Sequence, residues 1–263
     1  MHAELDRRTT PYLPVGAAHD VRPVEKGRFR ARLTDCPADV DAALALRARR
    51  FRDGSDDADA LDDVCRHVIV EPIDGGNPIA TFRFLHLADG RGIGLTYSAQ
   101  FYDLTRLQAY CRPLIEIGRF CTDGEVSDAD VLRIGWALLT RYVDAHEIGL
   151  MFGCSSFPGN DTAPYRDTLC LLALRHCAPK EWAPGMGSQD IVSFADILLG
   201  GAPNLKAANA AMPKLLRTYL AMGGWVSDHA VIDRELGTFH VFTGVEIDSI
   251  PPTRKRLLRA DAA

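Results

Sequence analysis

Two ionisable residues interrupt an apolar run near the middle of the chain. The segment Leu114-Ile115-Glu116-Ile117-Gly118-Arg119-Phe120-Cys121 alternates with the period of two that marks a half-buried strand. Glu116 and Arg119 lie three positions apart, so a regular strand points them to opposite faces, unless Gly118 marks a bulge that re-aims one of them. A carboxyl flanked by isoleucines has a raised pKa when buried and can take a proton from an amine. A guanidinium nearby can fork onto a substrate carboxylate. The alternative is an edge strand carrying one ion pair. A second concentration of charge is the aspartate run Asp53, Asp56, Asp57, Asp59, Asp62 and Asp63, which reads as a solvated mobile loop or as an acidic lip for a cationic amine.

Other motifs narrow the chemistry. Gly90, Gly92 and Gly94 lack the strand-to-helix context of a dinucleotide fingerprint, and no Walker loop occurs. The eight histidines show no metal-binding spacing, so no catalytic metal is expected, and His67 beside Arg66 reads as structural. Gly153-Cys154-Ser155-Ser156 falls short of the Gly-x-Ser-x-Gly nucleophile turn, which leaves a buried cysteine and a serine preceding a helix.

The 263 residues suffice for one large domain, with 47% hydrophobic and 25% charged residues. A net charge of −5 argues against a general nucleic-acid binder. No apolar run reaches the length of a membrane span, and Met1–Asp6 has no signal-peptide character. Seven cysteines without a Cys-x-x-Cys pair favour reduced thiols and a cytoplasmic protein.

The elements that must position these residues follow from periodicity. Residues 1–27 are polar and proline-containing, a loose arm. Phe29–Leu33 is a first strand, and Asp35 or Asp39 caps a helix over 38–51. Cys65–Glu71 and Ile79–Leu87 form a hairpin across Asp74–Pro78. Tyr97–Leu104 is a short helix, and Asp128–His146 an amphipathic one. Leu150–Phe152 is a short strand leading into a turn at Gly153–Gly159, and a helix starts at Asp161 or Thr162 and runs through His176. Residues 178–211 read as an irregular insertion, and Pro213–Met222 as a short helix stopped by Gly223-Gly224. Val226–Ile232 and Thr238–Ile247 form an antiparallel pair. Residues 251–263 make a basic tail, either solvated or in contact with an anionic membrane or an acidic partner. The order of elements predicts an α/β (α+β) fold with helices packed on a mixed sheet.

Taken in order, several segments resemble one family. They are Leu46–Phe51, the spaced pair Asp59 and Asp62 before Cys65–Val70, Ala80–Leu85, Glu116–Cys121, Phe152–Gly159 and Gly223–Val226. Together they are similar to acyltransferases of the GNAT fold, and within them to the ornithine N-acyltransferases of bacterial ornithine-lipid synthesis. The resemblance covers residues 28 to 250, and acyl-homoserine lactone synthases share its ground plan more distantly. It implies a mostly antiparallel central sheet with helices on both faces and a C-terminal extension. It also implies transfer of a 3-hydroxyacyl chain from acyl carrier protein to the α-amine of L-ornithine, giving lyso-ornithine lipid. Glu116 and Arg119 become catalytic positions, and Asp59, Asp62, Arg83, Arg50, Phe51 and Ser155 substrate-binding ones.

In that mechanism Glu116 accepts the amine proton directly or through water, Arg119 or Arg83 clamps the substrate carboxylate, and Asp59 and Asp62 hold the distal ammonium. The coenzyme A pyrophosphate loop of most GNAT enzymes is not evident in Thr122–Asp128. The expected donor is therefore a carrier protein presenting its phosphopantetheine arm, with no separate cofactor. Phe101, Tyr97 and Trp136, with Leu95, Tyr102 and Leu104, are expected to line the acyl tunnel. Residues 211–222 or the basic tail could touch the inner membrane from the cytoplasmic side. Rival readings are an acyl-homoserine lactone synthase or another amino-acid N-acyltransferase, and a non-catalytic acyl- or lipid-binding protein.

Overall fold

The computed structural model describes residues 21–34, 36–124 and 129–262. In chain order its elements begin with β1 (Val24–Lys26), β2 (Phe29–Leu33), α1 (Pro37–Phe51), β3 (Arg66–Pro72), β4 (Ala80–Leu87) and β5 (Tyr102–Asp103). Then come β6 (Leu114–Thr122), α2 (Ala129–Ala145), β7 (Leu150–Pro158), α3 (Arg166–Arg175), β8 (Gly185–Met186), β9 (Ile191–Ser193) and α4 (Phe194–Leu199). The chain continues with α5 (Leu205–Ala211), α6 (Lys214–Ala221), β10 (Trp225–Val226), β11 (His229–Asp233), β12 (Thr238–Glu246) and α7 (Pro252–Ala262). Short 3-10 turns at Gly90–Leu95, Ser98–Gln100 and Thr105–Ala109 fill the passage from β4 to β6.

The main sheet runs β1-β2-β3-β4-β6-β7-β12-β11-β9, with β10 also paired to β12. Its neighbours are antiparallel except β6 and β7. That one parallel pair follows from the chain's path, because α2 is the crossover that carries it from the end of β6 to the start of β7. The helix buries Val131, Ile134, Leu138, Tyr142 and Val143 against Phe82, Phe84, Ile115 and Ile117 of the sheet. Side chains of this size stabilise the fold by about 1.5–3 kcal/mol each when fully buried. On the same face, α3 to α6 cover Phe157, Phe239 and Val241 at the other end of the sheet. The opposite face carries α1, with Ala43, Leu46 and Arg47 buried, and the 3-10 turns packed over Leu85, Leu87, Leu114 and Phe152.

The structure departs from the sequence reading at five places. The arm ends early: Val24–Lys26 is a strand hairpinned onto β2 through Gly27, whose φ of 60° suits glycine, and Val21 and Val24 are buried. Residues 1–20 and Asp35 lie outside the described residues. Asp39 is not the first-helix cap: Cys36 stands at the N-cap, and Asp39 is inside the first turn, forked by Arg32 at 2.5 and 2.7 Å. Tyr97–Leu104 is a 3-10 turn and a two-residue strand instead of a helix. The Gly153–Pro158 segment is strand, because β12 pairs with it residue for residue from Glu246↔Leu150 to Thr238↔Pro158. The 178–211 insertion is ordered, and β9 within it closes the sheet edge on β11.

The basic tail is also folded. Leu258 of α7 packs against the core cluster beneath α2, Arg259 forks onto Asp144 at 2.8 Å twice, and Asp261 accepts from Lys26 at 3.0 Å and Arg133. No helix among the described residues is long and apolar enough to cross a membrane.

Candidate active site

The two central strands stay together only briefly. β6 and β7 pair from Leu114↔Leu150 to Glu116↔Phe152, after which β6 follows β4 and β7 follows β12. At the fork Gly153 lets the backbones approach, since a Cβ there would meet the Ile117 carbonyl oxygen at 2.2 Å. Beyond it the strands part, and a cavity of about 460 Å³ opens between them.

Strand alternation gives this cavity two unlike halves. Even-numbered Glu116, with Arg83, Arg119, Tyr97 and Cys65, lies on the α1 side of the sheet. Odd-numbered Ile117, with Phe120, Ser155 and the α6 residues Leu215, Leu216 and Tyr219, lines the other side. One half is polar and charged; the other is mainly apolar, with Ser155 and Lys214 among its lining.

A bulge brings Arg119 to the same cavity as Glu116. Thr81 pairs with Cys121 and Arg83 with Gly118, so Phe82 alone faces both Arg119 and Phe120. The sequence reading placed the irregularity at Gly118, but the left-handed residue is Arg119 itself, with φ 55°. Such a conformation in a side-chain-bearing residue costs roughly 1–3 kcal/mol, and here a dense set of ion pairs holds it.

Glu116 is 5% exposed. Its two carboxylate oxygens accept the backbone N–H groups of Tyr97 at 2.8 Å and Ser98 at 2.7 Å. Burial raises its pKa, although those amide bonds pull the other way. Arg119 lies over the Tyr97 ring at 5.1 Å and reaches Asp57 at 3.1 Å and Asp59 at 3.2 Å. The Tyr97 hydroxyl donates in turn to Asp233 at 3.1 Å. Neither amide partner of Glu116 is legible in sequence, because both are backbone groups on a loop 18 to 19 residues away.

The aspartate run divides: Asp53, Asp56 and Asp63 are exposed, whereas Asp57, Asp59 and Asp62 are drawn into ion pairs. Asp57 is buried and paired with Arg47 at 2.8 Å. Arg83 forks onto Asp59 at 2.6 and 2.7 Å and reaches Asp62 at 2.5 Å, which Arg47 also contacts at 2.5 Å. Burial works against the Asp62 charge, yet the Arg47 and Arg83 guanidiniums and the Asp59 amide hold its pKa at about 2. Arg52 also reaches Asp57 at 3.3 Å, so four arginines surround these three aspartates. Asp59 and Asp62, expected to grip a distal ammonium, stand behind Arg83 and Arg119 and do not line the cavity. Arg83 lines it with a guanidinium already committed to two carboxylates. Of the two arginines offered as carboxylate clamps, Arg119 is the less saturated. Arg47 and Asp57, missed by sequence reasoning, complete the network; their 10-residue separation across a loop gave no periodic signal.

Arg50 and Phe51 sit on the cavity rim at the end of α1. Ser155 faces in and accepts from Thr243 at 2.8 Å. The Cys154 thiol also lines the cavity, but burial pushes its pKa well above the usual range, and the thiol stays protonated at neutral pH. Of the expected tunnel residues only Tyr97 lines the cavity. Phe101 packs behind it at 5.1 Å, Tyr102 and Leu104 are buried in the neighbouring core, and Leu95 is exposed. Trp136 is on the far side of Tyr219, its ring 5.4 Å away. The apolar wall comes instead from α6, part of the 211–222 segment offered with the basic tail for membrane contact, and it buries Leu216 and Tyr219. Residues 125–128 of the expected phosphate-free loop lie outside the described residues.

The chain is similar to known proteins. Residues 44–137 match the acetyltransferase (GNAT) domain model. The chain is similar to an L-ornithine N(alpha)-acyltransferase of Rhodobacter capsulatus, 33% identical over 192 residues that cover 70% of this chain and 72% of that protein. It is similarly related to one of Brucella abortus, 31% identical over 245 residues, 85% of this chain and 86% of that one. Among solved structures, an N-acyl amino acid synthase from uncultured soil microbes superposes with a TM-score of 0.49 at 11% identity, covering 86% of this chain and 93% of that one. With a GNAT-like mixed sheet forked at its centre and this level of identity over most of its length, the chain belongs to the L-ornithine N(alpha)-acyltransferase family.

Proposed function

We propose that the protein transfers a 3-hydroxyacyl chain from acyl carrier protein to the α-amine of L-ornithine, giving lyso-ornithine lipid. The observation that carries this reading is the two-sided cavity at the β6/β7 fork. Joining a charged amino acid to a fatty acyl chain requires one space with a polar and an apolar compartment, meeting where the amide forms. The names borne by the curated relatives supply the acceptor.

The amine nitrogen attacks the thioester carbonyl carbon, the carbon–sulfur bond breaks, and the amine proton leaves. Glu116 takes that proton, directly or through water, on an oxygen lone pair that its two amide bonds leave free. The pantetheine thiolate departs and is protonated from solvent. Arg119 receives the ornithine carboxylate, for which its place on the cavity wall, its one hydrogen bond to Asp59 and its ion pair with Asp57 suit it. The donor rides on the phosphopantetheine arm of the carrier, entering by the rim where Arg50 and Lys214 are exposed, and no separate cofactor takes part. On this reading the reaction runs in the cytoplasm, where acyl carrier protein and free ornithine meet, at the inner face of the membrane that receives its product.

Thiol release from 3-hydroxyacyl carrier protein tests the reading, with ornithine, lysine, glycine, S-adenosylmethionine or no acceptor. Ornithine-dependent release with an Nα-acylated product by mass spectrometry is expected. Preference for S-adenosylmethionine would assign a homoserine-lactone synthase instead. Silence with every acceptor would leave a binding protein.

A further inference from the structure

Beyond the apolar end of the cavity lies a second, smaller space. A pocket of about 30 Å³ is walled by Trp136, Leu139 and Val143 of α2, Met151 of β7, Met222 and Ile247. An aromatic pair links its wall to that of the larger cavity. Tyr219 lines the large space and Trp136 the small one, and their rings meet edge to face at 5.4 Å. Each residue is 8% exposed. Tyr219 sits in the last turn of α6, where its carbonyl accepts the Met222 and Gly224 amides at 3.0 Å, so its backbone is pinned. Its hydroxyl has no hydrogen-bond partner among the described residues, and the ring acts through its shape.

We propose, resting on the acyl-transfer reading above, that the Trp136–Tyr219 pair is the end wall of the acyl compartment and sets the longest chain the enzyme accepts. A chain whose carbonyl lies at the fork beside Glu116 runs along Ile117, Phe120 and Leu215, and its methyl end meets Tyr219. Interiors are packed too closely to admit further methylenes against a braced ring, and a pocket that is one methylene short discriminates by about 10- to 200-fold. Removing the phenol takes away the half of the pair that faces the acyl compartment and lengthens that compartment toward Trp136.

The test is kcat/KM for a series of 3-hydroxyacyl carrier-protein thioesters lengthened two carbons at a time. Tyr219→Ala is expected to move the optimum to a longer chain, with the longer-to-shorter ratio rising about tenfold or more. Tyr219→Phe keeps the wild-type profile. Adding Met222→Phe to Tyr219→Ala fills the small pocket and returns the optimum toward the wild-type length. If Tyr219→Ala does not fold, Tyr219→Leu carries the same expectation. A loss of activity in equal proportion at every length, or a length shift already present in Tyr219→Phe, overturns the assignment of the wall. A wild-type enzyme that transfers no chain of any length refutes the acyl-transfer reading itself, whereas active wild type with an unchanged Tyr219→Ala profile refutes only the wall.

Discussion

At the scale of single residues, Glu116 shows why a structural and a catalytic role need not compete. From sequence alone the two are alternatives, separable by whether Glu116→Gln keeps its melting temperature. In the structure the carboxylate is at once an anchor for the Tyr97-Ser98 turn and a wall of the cavity. A glutamine would turn an NH2 group toward one of the two amide donors, which costs about 1–3 kcal/mol for the unsatisfied group. Glu116→Gln is therefore expected to lower stability and also to reduce kcat by about 10²- to 10⁴-fold, the usual worth of a general base. The discriminating measurement is the pH profile of kcat/KM. Wild type loses activity as pH falls through the raised Glu116 pKa, and the variant lacks that acid limb. An acid limb of unchanged position in Glu116→Gln would remove the carboxylate from the chemistry. The aspartate run teaches a similar point. Six aspartates in eleven positions look like an open acidic surface, but three of them are consumed by arginines from α1, β4 and β6.

At the scale of elements, the cavity depends on how two strands part. Gly153 sits at the fork, and any side chain there collides with the Ile117 carbonyl. Gly153→Ala is expected to force β6 and β7 apart before Glu116 and to destabilise the protein by about 1–3 kcal/mol, as overpacking does. The midpoint of urea unfolding measures this, and acyl transfer should fall with it; an unchanged midpoint would mean that the fork tolerates widening. Much of this layer was legible in the sequence. The β3–β4 hairpin, α2, α6 and the β11–β12 pair lie close to the spans their periodicity predicts. Glu116 and Arg119 stood out because acid and base are costly inside an apolar strand. Other features were hidden for physical reasons. Strand β7 beyond Phe152 contains small polar residues that read as a turn, and only its pairing with β12 makes it strand. The Arg119 bulge is set by register with β4, which no local pattern reports. The apolar wall lies on α6, far along the chain from the fork, and its amphipathic face suits a cavity as well as a membrane.

At the scale of the whole molecule, buried histidines tie stability to pH. Burial, with neighbouring positive charge, lowers the pKa of His86 to about 4; burial, opposed by Asp233, lowers that of His240 to about 4, and His67 moves in the same direction. His86 and His240 are neutral in the fold down to about pH 4, while in the unfolded chain they take up protons below about pH 6.5. Because the unfolded state binds more protons between about pH 6.5 and 4, stability falls as pH falls through that window. Each depressed histidine contributes up to about 1.4 kcal/mol per pH unit there. Glu116, with its raised pKa, contributes with the opposite sign but is one group against His86 and His240, with His67 and His176 shifted the same way as those two. The urea midpoint is thus expected to drop between pH 7 and pH 5, and a flat or rising midpoint would contradict the assignment. The larger claim concerns the two faces of the sheet: polar acceptor on the α1 side, acyl chain on the α6 side, meeting at the fork. Photo-crosslinking tests it most directly, using a 3-hydroxyacyl carrier-protein thioester with a diazirine near the methyl end and mapping the labelled peptides by mass spectrometry. The account predicts labelling of Phe120, Leu215, Leu216 or Tyr219. Labelling confined to Phe51, Cys65 or Tyr97, on the polar side, would contradict it.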